Sequence, residues 1–161
     1  MSKEINLTKG KVAIVDDEDF EWLSKYNWYL NCKGYATRSG LVKDGVRKGK
    51  TIFMHREILD IPQGLFGDHI DMNPLNNQRS NLRIVNKQQN NANRTTRKDS
   101  SKKYKGVWLN PDGNVYMGRL TLNGKRYYSK RFKDIKLAAL AYNDLAIKHF
   151  GEHARLNEVS L

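Results

Sequence analysis

The chain has 161 residues, 39% of them hydrophobic, and 29 Lys and Arg against 17 Asp and Glu give a formal net charge of +12. That is room for one medium core or two small ones, with enough apolar content to exclude a wholly disordered chain. No apolar run reaches the ~18 residues of a membrane span, Met1 to Gly10 lacks a signal-peptide segment, and the single cysteine, Cys32, excludes an internal disulfide and a four-cysteine structural zinc site. A cytoplasmic protein without a membrane partner is expected.

The charge is unevenly spread. Residues 1–85 carry 13 Lys and Arg against 11 Asp and Glu, whereas residues 86–161 carry 16 against 6. A basic half interleaved with tyrosines suits a polyphosphate partner, pointing to nucleic acid rather than a merely soluble basic surface or an anionic membrane.

In chain order, Lys11 to Val15 is an apolar run of strand length. Asp16 or Asp17 is then placed to cap a short helix over Glu18 to Leu23. Asn27 to Leu30 and Gly34 to Arg38 read as a hairpin turning at Asn31-Cys32-Lys33, Lys43 to Lys50 as a turn-rich loop, and Thr51 to Met54 as a strand running into His55-Arg56. Residues 1–50 show no chemistry of their own; they are expected to form a second sheet that docks on the core built by the downstream residues.

Between Asn73 and Asn93 fall eight asparagines. A floppy polar loop would look the same, but Leu75, Leu82, Ile84 and Val85 supply anchors for a folded, loop-rich site. Asn86 to Lys105 is polar and basic, a linker that orders along a nucleic-acid backbone or else a plain tether. Tyr104 to Leu109, Val115 to Thr121 and Arg126 to Phe132 read as three strands, with Asn123-Gly124 a strong hairpin signal. A helix follows from about Asp134, its cap, to Phe150, with Gly151 beyond its end and Leu137, Ala138, Leu140, Ala141, Leu145 and Ile147 as its apolar face.

The loop-rich segment holds Asp68-His69-Ile70-Asp71, then Asn81 and Asn90. Cutting a phosphodiester requires a divalent ion on a phosphate oxygen, a base for the attacking water and help for the departing 3′ oxygen. Adjacent residues of an extended segment point opposite ways, so Asp68 is suited to holding metal while His69 addresses water. Asn81 is a candidate to fix the imidazole tautomer, and Asn90 offers a hard carbonyl oxygen suited to Mg2+ or Mn2+ rather than zinc.

His55-Arg56, Asp68 to Asp71, Asn76 to Arg83 and Gln89 to Arg94 resemble the HNH homing endonucleases of phages, in the branch whose final histidine is replaced by asparagine. The resemblance implies an α+β fold: an N-terminal β-rich region leading into a ββα-metal core, a hairpin carrying the Asp-His pair and a helix carrying the last ligand. It also implies Asp68 and Asn90 as metal ligands, His69 as general base, Asn81 as its orienting residue, Mg2+ (with Mn2+ able to substitute) as cofactor, and no structural zinc. His55, placed on the strand before the motif, is expected to be structural or to touch DNA together with Arg56, rather than to bind metal.

Tyr104 to Val107, Asn123 to Tyr128, Ala138 to Asn143 and Gly151 to Asn157 resemble the DNA-binding domain of plant ethylene-response factors, a three-stranded antiparallel sheet laid in the major groove with one helix behind. That resemblance makes Lys105, Trp108, Asn110, Arg119, Thr121, Arg126 and Tyr128 DNA-facing, with Tyr128 outward and Tyr127 inward. Trp108, Asn110 and Thr121 stand where the plant domain has arginines, so the plant target sequence is not expected. Arg94, Arg97, Lys98, Lys102 and Lys103 complete the basic track. The expected division is 1–94 nuclease, 95–103 linker and 104–161 DNA-binding. Double-stranded DNA is the expected partner of a monomer or weak dimer, nicked by default because each chain has one site. A non-catalytic, sequence-specific regulator would share the charge, linker and sheet, but the joint presence of Asp68, His69, Asn81 and Asn90 speaks against it.

Overall fold

The computed structural model describes residues 1–40, 49–94 and 103–160. The expected loop at Lys43 to Lys50 therefore lies mostly outside the described residues, as do most of the linker and its Arg97, Lys98 and Lys102. The chain divides into two compact units, Met1–Asn86 and Lys87–Leu161.

The first unit opens with β1 (Ser2–Asn6) and β2 (Val12–Asp16), an antiparallel pair running into helix α1 (Asp17–Leu23). Alternation along β2 sends Ala13 and Val15 into the core, both fully buried. Asp16 stands at the helix N-cap position but makes no capping hydrogen bond; its carboxylate is committed to Gln78 and Arg79. The Trp28 indole N–H donates to the Leu23 carbonyl at 2.8 Å, satisfying an orphan acceptor at the end of α1. Strands β3 (Tyr29–Leu30), β4 (Ala36–Ser39) and β5 (Thr51–Phe53) form one antiparallel sheet. Between β3 and β4 the Asn31 side chain accepts from the Lys33 and Tyr35 amides, and Gly34 supplies a φ of +85°.

The expected strand at Thr51 to Met54 ends one residue early. Met54–Leu59 is helix α2, so His55 lies on a helix and not a strand. Met54 and Ile58, one turn apart, both enter the core, and burial of that pair selects helix over continued extension. Helix α2 lies against the hairpin of β6 (Phe66–His69) and β7 (Leu82–Val85). One apolar core unites these parts, with Ile5, Val15, Leu23, Trp28, Met54 and Leu82 among its buried members.

The second unit begins with helix α3 (Lys87–Asn93), followed by β8 (Val107–Leu109), β9 (Tyr116–Leu122) and β10 (Lys125–Phe132), a meander covered by helix α4 (Ile135–Phe150). Asn123 and Gly124, with φ of 51° and 75°, make the tight turn that their sequence announces. Asp134 caps α4 by accepting from the Lys136 amide at 2.8 Å. The face that α4 buries differs from the expected one. Ala138, Ala139, Tyr142 and Ala146 face the sheet, while Leu137 and Ile147 are exposed. The reason lies in the sheet: a Cβ on Gly118 would come 2.8 Å from the Tyr142 backbone, so helix and strand touch nearly backbone to backbone and only small side chains fit.

Candidate active site

Asp68 and His69 end β6 and face opposite ways. Asp68 stands opposite Arg83 in the β6–β7 register. The guanidinium closes on its Oδ2, with Nε at 3.0 Å and an Nη at 2.9 Å. Only 8% of Asp68 is exposed, and a buried carboxylate needs such a partner.

His69 shares the opposite face of β6 with Gly67, two residues back, and both meet His55. A Cβ at position 67 would lie 2.5 Å from His55 Cδ2, so glycine is what allows the α2 histidine to lie flat on the strand. The two imidazoles are 5.0 Å apart in an edge arrangement, with Tyr35 5.9 Å from His69 and Phe53 5.6 Å from His55. His55 and His69 are 7% and 6% exposed. Burial drives the His55 pKa down to about 3, and the neighbouring His69 and Arg56 push the same way. Burial also lowers His69, against the opposing pull of Asn77, Asp71 and Asp68. Burial in this aromatic pocket thus favours the neutral form of His69, the form that accepts a proton.

The oxygen at hydrogen-bond distance from His69 Nε2 belongs to Asn77, at 3.4 Å. With that oxygen accepting, Nε2 carries the hydrogen and Nδ1 is the basic nitrogen. The orienting contact expected of Asn81 is therefore made by Asn77, because Asn81 is engaged with the loop. Its Nδ2 donates to Asp71 Oδ1 at 2.9 Å and to the Asn76 carbonyl at 2.8 Å, and its Oδ1 accepts from the Asp71 amide at 3.0 Å. Asp71 also accepts from the Asn73 amide and Asn76 Nδ2. Burial opposes ionisation of Asp71, but these donors prevail and hold its carboxyl below the usual range. The asparagine-rich stretch from residue 70 to 81 is thus a folded loop held by its own side chains.

Residues 1–23 buttress that loop. Ile14 on β2 donates to the Leu75 carbonyl at 2.8 Å and accepts from the Asn77 amide at 2.7 Å. Asp16 accepts from the Arg79 amide at 2.7 Å and from Gln78 Nε2 at 3.2 Å, which is why it does not cap α1. Arg79 pairs bidentately with Asp19, itself 1% exposed. Sequence reading gave residues 1–50 only the role of a docking sheet and assigned no function to Asn77, Arg83 or Arg79. The hairpin register would have exposed Arg83; no local signal marks Asn77.

In the second unit, Asn90 lies on α3. Trp108, Arg119, Thr121, Arg126 and Tyr128 share the face of the sheet turned away from α4, as the pairs Arg126–Thr121 and Tyr128–Arg119 and period-two alternation require. Tyr128 is 49% exposed, while Tyr127 packs inward against His149 at 4.0 Å between ring centres. The Arg119 guanidinium lies 5.7 Å from the Trp108 ring centre. Two expected positions are engaged otherwise. Asn110 Oδ1 accepts from the Asn114 and Val115 amides, fixing the β8–β9 turn, and the Lys105 ammonium donates to the Ala92 carbonyl. Burial, with Arg155 and Arg94 nearby, lowers that ammonium to about 8. Arg94 and Lys103 are exposed.

A family model of the HNH endonuclease matches residues 60–92. Over 153 residues the chain is 37% identical to an uncharacterized HNH endonuclease of Acanthamoeba polyphaga mimivirus, spanning 94% of this chain and 77% of that one. The chain belongs to the HNH endonuclease family. It is also 32% identical over 95 residues to Protein 3.8 of Escherichia phage T7, covering 59% of this chain and 78% of the phage protein. No solved structure matches. As an HNH endonuclease the protein is a nuclease, of a family that generally uses divalent metal ions. No helix among the described residues is long and apolar enough to cross a membrane.

Of the two residues expected to hold metal, Asp68 lies in the first unit and Asn90 in the second, and each carries an oxygen donor of the kind a hard divalent ion takes. Among the described residues no group of three or more His, Cys, Asp and Glu is placed to hold a metal.

Proposed function

We propose that this HNH endonuclease cuts double-stranded DNA with Asp68 and Asn90 holding a divalent ion, Mg2+ or its substitute Mn2+, and His69 as the general base. The observation that carries this reading is the neutral, buried His69 at the end of β6, one residue from a carboxylate already braced by Arg83. When bound, the ion draws charge from the scissile phosphate and the departing oxygen. His69 takes a proton from water as the water oxygen bonds to phosphorus. The bond from phosphorus to the 3′ oxygen breaks with its electron pair going to that oxygen, which takes a proton from solvent, leaving a 5′ phosphate and a 3′ hydroxyl. Asn77 holds the imidazole tautomer, and Asn81 with Asp71 holds the loop that carries Asn77. The outer sheet face, with Arg119 and Arg126 beside Trp108 and Tyr128, supplies basic and aromatic groups for the duplex in the manner of an ethylene-response-factor-like module. Arg94, Arg97, Lys98, Lys102 and Lys103 extend that track. One site per chain makes nicking the default, and the family resemblance favours a homing-type enzyme.

Supercoiled plasmid incubated with Mg2+ should relax to the nicked form, and chelator should abolish the conversion. His69→Ala should lose cleavage and keep DNA binding. Wild-type rates from His69→Ala would end the assignment of the base.

A further inference from the structure

Helix α3 is poorly equipped to hold itself. It has seven residues, three of them asparagine, and isolated helices of that length do not persist in water. Its order therefore comes from what it packs on, and within the second unit that is a set of polar clamps from four distant points of the chain. The Ala92 carbonyl, in its last turn, accepts from the Lys105 ammonium, just before β8, and from the Arg155 amide at 3.1 Å. Gln88 Nε2 donates to Asn123 Oδ1 at the β9–β10 turn. Gln89, next to Asn90, has Nε2 3.1 Å from His153 Nε2, in the short turn after α4. A cleft of about 260 Å³ remains beside the helix, lined by Gln88, Asn91, Lys105 and Arg119 together with Leu120 and Tyr142, so apolar packing on that side is incomplete and the hydrogen bonds add to it.

Lys105 is itself fixed. Asn157 accepts from its amide at 2.7 Å and donates to its carbonyl at 3.0 Å, and Asn157 is in turn paired with Asn143 of α4. A cation on a helix C-terminal carbonyl also suits the helix dipole. The sheet, α4 and the C-terminal turn thus reach α3 through Lys105 and His153.

We infer that the second unit positions the helix bearing the second metal ligand, with Lys105 and His153 as positioning residues for cleavage. The inference rests on the proposed role of Asn90. On this account the C-terminal module is part of the catalytic apparatus as well as a DNA holder.

The test uses the full chain with Lys105→Met, Lys105→Arg and His153→Ala. Lys105→Met keeps the stem and removes a half-buried charge, so loss of the fold is not expected. Amide exchange in residues 87–94 should accelerate about tenfold in Lys105→Met, the weight of one charge-assisted hydrogen bond, and about fivefold in His153→Ala, which loses a neutral one, with β9 and β10 unchanged. The single-turnover cleavage rate at saturating DNA and Mg2+ should fall about tenfold, with Kd for DNA within twofold, and Lys105→Arg should restore both readouts. Unchanged exchange in residues 87–94 would overturn the inference. So would a loss of cleavage that comes only through Kd, with a reduced salt dependence, which would make Lys105 a phosphate contact. Should one variant also speed exchange in β9 and β10, the other decides. A wild-type protein that cuts DNA with no divalent ion would refute the nuclease mechanism and the catalytic half of the inference, while the exchange result would still decide whether Lys105 and His153 hold the helix.

Discussion

His55 makes the first unit acid-labile by an amount that can be worked out. The folded chain refuses a proton at this ring until about pH 3, whereas an exposed histidine accepts one near 6.5. Between those values the unfolded chain binds the extra proton, so stability is complete above pH 6.5 and falls as the pH drops toward 3. The loss is about 2 kcal/mol at pH 5 and about 4 kcal/mol near pH 3, since each pH unit between the unfolded and folded pKa costs about 1.36 kcal/mol. Against a total of ~5–15 kcal/mol for a domain, this ring alone accounts for much of an acid transition. The variant is His55→Phe, a planar ring of similar size in a pocket already lined by Tyr35 and Phe53. Replacing Trp108 with Phe leaves Trp22 and Trp28 as the tryptophan reporters, both in the first unit. Urea unfolding followed by their fluorescence at pH 7, 6 and 5 then gives stability against pH, above the range where most carboxylates titrate. Wild type should lose about 2 kcal/mol more than His55→Phe over that span. Parallel slopes for the two proteins would refute the argument, since titrating groups not coupled to His55 cancel in the difference and the neighbouring His69 is the one group whose titration the variant also alters.

Three further outcomes follow from the same geometry. Asn77→Asp places a carboxylate 3.4 Å from His69 Nε2 and favours the imidazolium, so the acid limb of the cleavage rate should move up by about 1 to 3 pH units; an unmoved limb would separate His69 from the titration. Arg79→Met leaves the buried Asp19 with the Trp22 indole N–H as its partner, which should cost the first unit about 1–3 kcal/mol in urea unfolding and loosen the loop that carries Asn77. Gly106→Ala drives a Cβ to 2.0 Å from the Tyr142 ring at a φ of +68°, and the second unit should lose more than about 3 kcal/mol or fail to fold, read by circular dichroism and a thermal melt.

What was legible in the chain and what was not divide along a physical line. The turns at Asn123-Gly124 and Asn31 to Lys33 are local chemistry and stand where the sequence puts them, although the positive φ of the second is supplied by Gly34, which the sequence reading assigned to the strand. The candidates for the chemistry, Asp68-His69 and the spaced asparagines, stand out in the chain by residue type alone, because phosphodiester cleavage asks for those types. The supports do not. Asn77 reaches His69 only after the Ile14 backbone has fixed a loop more than sixty residues away, and Arg83 meets Asp68 only in one register of the hairpin. The alanines of α4 announce a close approach to the sheet, but it is Gly118 that decides which face is buried and leaves Leu137 and Ile147 outside.

The same division separates the effects of substitution. A change at His69 removes a chemical group and should leave the fold in place, because the ring contributes a lone pair that no other residue replaces. A change at Asp16, Arg79 or Asn81 removes no chemistry, yet each holds the loop that fixes the imidazole, so lost activity there should follow loosened structure. Rates alone do not distinguish the two kinds of loss. Stability and loop exchange measured on the same variants do, because on the proposed mechanism the support residues act through the order of the loop and His69 through its proton.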